Sequence, residues 1–186
     1  MLAGGICVTM ASSGLASANV LAPLPSTARL NREFAQLSAY AVKHMAQDHG
    51  PLATTMKDVR RAPFSFTSNE PEASEAALGN DIYVIEVRSE PKGARSYWLG
   101  YKYRAYEKYP PAGNGLWRER FKYKNAGRPG ERGEGFYFDV PVEITDPVVS
   151  AWLREKPPGM VQLPVEFIAG VEALASDPAN GAKRFA

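Results

Sequence analysis

Residues 97–124 read YWLGYKYRAYEKYPPAGNGLWRERFKYK, and the alternation in this stretch sets the expected fold. Successive side chains of a strand face opposite sides of a sheet. On that rule Tyr97, Leu99, Tyr101 and Tyr103 point one way, and Lys102, Arg104 and Lys108 the other. The run Pro110-Pro111-Ala112-Gly113-Asn114-Gly115 supplies a turn. Beyond it Trp117, Phe121 and Tyr123 alternate with Arg118, Arg120, Lys122 and Lys124. The expected product is a hairpin with an aromatic face for a core and a cationic face for water.

Further strands are expected on either side. Residues 64–67 read as a small strand, 82–89 as a long one, and Glu90-Pro91-Lys92-Gly93 as the turn into the strand 95–109. The second arm of the hairpin spans 116–125, and 136–144 forms a last strand. There Phe136, Phe138, Val140, Val142 and Ile144 share a face, and Pro141 marks an edge or bulge because it cannot donate to a ladder.

Helices are expected at both ends. Leu30, Phe34, Leu37, Ala41 and Met45 recur at three- and four-residue intervals. That pattern predicts an amphipathic helix from Ser26 or Thr27 to His49, stopped by Gly50-Pro51. A second helical turn is expected within 51–61, and an acidic loop over 68–80. Asp146-Pro147 is a cap followed by proline at the first turn. It predicts a helix to Glu155 that buries Val148, Val149 and Trp152, before a final helix over 164–175. The expected class is therefore α+β: an antiparallel meander of four to five strands packed on an N-terminal amphipathic helix, with one or two C-terminal helices.

A chain of 186 residues suits one domain with a sizeable core. The first 18 residues carry no charge and end Ala16-Ser17-Ala18, the small-residue pattern that a signal peptidase cuts. Residues 1–18 are thus expected to be a signal peptide and 19–186 a single α+β domain, exported to the periplasm or beyond. The alternative is a cytoplasmic protein with a disordered N-terminal tail. Cys7 is the single cysteine and lies in that leader. The mature chain then has no disulfide, no thiol nucleophile and no thiolate metal site. Gly4, Gly5, Gly14 and Pro23 interrupt the apolar run, so no stable membrane span is expected.

The net charge is only +2, but it is unevenly spread. Between Arg95 and Lys124 eight Lys or Arg face two Glu, a local +6 that leaves −4 for the remainder (2 − 6). Such concentration bears on partners and encounter rates. The candidate binding residues are Lys102, Arg104, Tyr106, Lys108, Arg118, Arg120, Lys122 and Lys124, extended by Arg128 and Arg132 of the glycine-rich loop 126–135. Tyr106 is placed to stack a base or sugar ring. The plain alternative is a solvated face whose cations keep an exposed strand from aggregating.

Other constellations are weaker. His44, Asp48 and His49 lie near one predicted helix end but lack a third donor, so no metal site is expected. Glu70, Glu72 and Glu75 read as solvated loop charge, and Asp139 and Glu143 as strand residues facing the cations. No catalytic set and no cofactor are assigned. The functional expectation is an exported, non-catalytic binding or accessory protein that engages an acidic protein or an envelope polyanion, as an inhibitor or immunity factor would. Export ranks nucleic acid below those partners. A carboxylate-dependent envelope hydrolase is the first alternative, and a structural or assembly subunit the second.

Overall fold

The computed structural model describes residues 38–55, 63–109, 123–128 and 135–185. The expected signal peptide lies outside these residues, as do the N-terminal part of the predicted helix and Arg118, Arg120, Lys122 and Arg132.

A six-stranded sheet forms the centre. Its strands are β1 (Ala39–Met45), β3 (Asp81–Ser89), β4 (Arg95–Arg104), β7 (Phe136–Glu143), β8 (Met160–Leu163) and β9 (Lys183–Arg184). Their order across the sheet is β8-β1-β3-β4-β7-β9. Strands β1 and β3 run parallel, in register from Ala39 opposite Asp81 to Met45 opposite Val87, and the other pairs are antiparallel. A smaller sheet of β2 (Phe64–Ser68), β5 (Glu107–Tyr109) and β6 (Tyr123–Ala126) has the order β2-β6-β5. The helices are α1 (Ala46–His49), α2 (Leu52–Thr55), α3 (Pro71–Ala76), α4 (Pro147–Glu155) and α5 (Val165–Ser176).

Two cores flank the large sheet. Helices α4 and α5 cover one face, burying Val149, Leu153, Ile168 and Val171 against Tyr83, Ile85, Tyr97, Leu99 and Phe136. The opposite face buries Val42, Ile82, Val84, Tyr101 and Tyr103 with Leu52 of α2. Among the described residues no helix is long and apolar enough to cross a membrane.

The sheet overturns the expected architecture in two places. The predicted amphipathic helix is, from Ala39 to Met45, a strand inside a mixed sheet rather than a helix packed on a meander. Ala41 and Met45 are four apart, and four residues bring a side chain back to the same face of a strand as well as of a helix. The one three-residue spacing that favoured a helix, Phe34 to Leu37, lies before residue 39. Among the described residues of that predicted helix only α1 is helical, and Gly50 ends it at φ 80°. Lys43 fits a buried strand because its ammonium donates to the carbonyls of Leu153 (3.1 Å) and Lys156 at the end of α4. That contact satisfies carbonyls the helix itself leaves open.

The second correction concerns the quoted strand. Tyr97 and Leu99 pack under the helices, whereas Tyr101 and Tyr103 pack on the opposite face. The register with β3 shifts between Val84 and Ile85, which oppose Tyr101 and Leu99, so Gly100 is the extra residue of a bulge. A bulge moves everything beyond it to the other side. The chain then leaves the large sheet at Ala105-Tyr106, and among the described residues 107–109 pairs with 124–126. The described parts of the two expected arms, 95–104 and 123–126, therefore lie in different sheets.

The C-terminal half follows its sequence signals more closely. Asp146 Oδ1 accepts from Val148 N (2.7 Å) and Val149 N (3.2 Å), capping α4. Val149 and Leu153 are buried, but Val148 is 62% exposed. Pro141 falls in the gap between the paired positions 137 and 142 of β7. The acidic stretch contains α3, begun by Pro71, and Ser74 is buried there.

Candidate functional site

The three-stranded sheet has an inner and an outer face. Ser65, Thr67 and Asn125 point inward and are buried. The Asn125 amide oxygen accepts from Thr67 Oγ1 (2.7 Å) and Ser74 Oγ (2.8 Å), and its Nδ2 donates to the Ser74 carbonyl (2.9 Å). Tyr103 of the large sheet hydrogen-bonds Ser65 Oγ (2.5 Å) and donates to the Asn125 carbonyl (3.0 Å), and Tyr101 donates to the Phe64 carbonyl (2.6 Å). Burial raises both phenols above their ordinary range, so they stay protonated donors. This network joins the small sheet to the large one.

Because Lys124 pairs in register with Phe66 and with Tyr109, the alternation places it on the outer face beside Phe64 and Tyr109. Its ammonium lies 4.9 Å from the Phe64 ring centre and 4.7 Å from that of Tyr109. Both rings are 41% exposed. Glu107 shares this face, accepting from the Tyr109 hydroxyl, which holds that phenol above its ordinary value. Arg128, at the rim, lies 3.9 Å from the Glu107 carboxylate and 5.3 Å above the Tyr106 ring.

The remaining described candidates are held elsewhere. Lys102 lies on the helix-covered face, 2.7 Å from Glu172 and 3.6 Å from Asp81, near the rings of Tyr83 and Phe136. Arg104 pairs with Asp81 at 3.0 Å. Tyr83 donates to Glu172 at 2.5 Å, and burial followed by the Glu172 charge raises its pKa. Lys108 reaches Glu75 (2.9 Å) and the Pro71 carbonyl (3.1 Å) of α3. The large sheet thus separates Lys102 from Lys124, while Tyr106, Lys124 and Arg128 stay around the small one.

Sequence reading passed over Glu86, a charged residue that the fold buries. Glu86 is completely buried; one oxygen accepts from Leu52 N and the other from Arg88 Nε, both at 2.5 Å. Arg88 in turn lies 4.0 Å above the Trp98 ring. A glutamate inside Ile82-Tyr83-Val84-Ile85-Glu86-Val87 was the available signal, since a charge enters such a run only with partners. His44 donates Nε2–H to the Gly50 carbonyl at 2.7 Å, 5.6 Å from the His49 ring. Burial lowers its pKa, against the raising effect of that carbonyl. Asp139 pairs with Lys183 at 2.5 Å. Among the described residues no three His, Cys, Asp or Glu are grouped to hold a metal ion.

Comparison with protein-family models, with curated proteins and with solved structures gave no match in any of the three.

Proposed function

We propose that this chain is an exported, non-catalytic binding protein that engages an acidic protein partner through the outer face of its three-stranded sheet. The observation that carries this reading is Lys124, whose ammonium sits between two half-exposed rings and pairs with no carboxylate among the described residues. Rings on two sides strip water from the ammonium, and a charge in a drier setting attracts an anion more strongly. Exposed aromatic rings are also common anchors of protein interfaces.

Chain connectivity adds charge around the same strands. The segment that joins β5 to β6 carries Arg118, Arg120 and Lys122, and the loop after β6 carries Arg128 and Arg132. The leader-like residues 1–18 support export.

Poly-L-glutamate serves as the acidic probe. Lys124→Gln should weaken its binding about three- to tenfold at low salt and reduce the salt dependence, as expected when one charge contact is lost. Phe64→Ala with Tyr109→Ala should weaken it further. Unchanged binding in both variants would reject this face.

A further inference from the structure

The two edges of the large sheet differ in chemistry. One ends in β9, which is two residues long with both charged, Lys183 and Arg184. Short strands and charges are the usual means of keeping an edge from pairing with another chain. The other edge is β8, Met160-Val161-Gln162-Leu163, which carries no charge and no proline. It pairs with β1 along all four residues, and among the described residues no strand pairs with its outer side. Charges stand instead at its two ends. Lys156 closes α4 five residues before Val161, and Glu166 lies in the first turn of α5 five residues after it. Neither forms an ion pair among the described residues.

We propose that a second copy of this chain pairs with β8, strand against antiparallel strand, about a two-fold axis at Val161. Such an axis matches each residue with the one equally far beyond Val161 in the other copy. Lys156 then stands toward the partner subunit's Glu166, and Glu166 toward the partner subunit's Lys156. An uncharged strand with complementary charges at its ends fits a copy of itself, because a two-fold contact uses the same patch on both sides. Backbone groups on the outer side of β8 gain ladder partners, and the six-stranded sheet continues into that of the partner. Val165, 44% exposed beside Glu166, adds apolar surface at each end. This edge belongs to the large sheet, so the inference does not rest on the reading of the Lys124 face.

Sedimentation equilibrium of the full chain, over a dilution series reaching about 1 mM, tests the assignment. A four-residue strand and its flanks make a small contact, so a dimer with a micromolar Kd is expected. Gln162→Lys, at an exposed position, puts a cation on the edge and should raise that Kd about tenfold or more. Lys156→Glu alone and Glu166→Lys alone each set like charges together at both ends, and each should weaken the dimer. An equimolar mixture of those two variants restores both opposite-charge pairs and should dimerise about as well as wild type. Lys124→Gln should leave the dimer intact. A monomer at every concentration, whether the edge stays bare or another part of the chain covers it, would overturn the proposal. So would a dimer unaltered by Gln162→Lys, or a mixture no tighter than its two components.

Discussion

Asn125→Ala should cost this protein a large part of its stability, because one side chain ties the small sheet to α3. Its amide oxygen receives the hydroxyls of Thr67 and Ser74, and its nitrogen supplies the Ser74 carbonyl. Asn125, Ser74 and Thr67 are all at most 1% exposed, so water cannot replace what is removed. Thr67 retains a weak alternative in the Tyr123 carbonyl at 3.4 Å. The Ser74 hydroxyl and carbonyl both lose their Asn125 contacts. At about 1–3 kcal/mol for each buried group left unsatisfied, plus the space left by the amide, the loss is roughly 3–6 kcal/mol. That is a large fraction of the ~5–15 kcal/mol that holds a typical domain together. Urea unfolding followed by far-ultraviolet circular dichroism measures it. A loss below about 1 kcal/mol for Asn125→Ala would refute the claim that this network fastens the sheet.

Two further outcomes test the large sheet and its half-buried His44. Gly100→Ala would place a Cβ 2.4 Å from Leu52 Cδ1 in the buried core. A loss of about 1–3 kcal/mol is expected from the overpacking, and Leu52→Ala in the same chain should cost less than the two single losses summed. His44 is lowered from its ordinary value of 6.5, with burial the main cause, so below 6.5 the unfolded chain takes up the proton more readily than the folded one. Stability should therefore be fully present above pH 6.5 and fall as pH drops through the folded-state value. The difference between wild type and His44→Gln, measured by urea midpoints from pH 5 upward, should show this slope, and a flat difference would contradict it.

How far the fold could be read from sequence depended on which signals were local. The α4 cap and the final helix rest on contacts within a few residues, the strands 82–89 and 136–144 carry their signal in their own apolar and β-branched runs, and all of them form. Strand β1 does not, because its conformation is set by β3 and β8 on either side, partners about 40 and 120 residues away. A spacing of four cannot tell a helix from a strand, and only those neighbours decide. Gly100 is likewise silent, since nothing in the alternation of Tyr97 to Tyr103 marks a bulge, although glycine in a strand is a general hint of one. The same shift explains why Lys102 reached Glu172 rather than the cationic surface. Lys124, Tyr106 and Arg128 were named from sequence, whereas Phe64 and Tyr109 join them only through pairing across β2, β6 and β5.

The most direct test of the binding face is the affinity of wild type and Lys124→Gln for poly-L-glutamate across a series of salt concentrations. A face centred on Lys124 requires wild type to bind more tightly at low salt, with a steeper fall as salt rises. Coincident curves, at unchanged folding by circular dichroism, would contradict it.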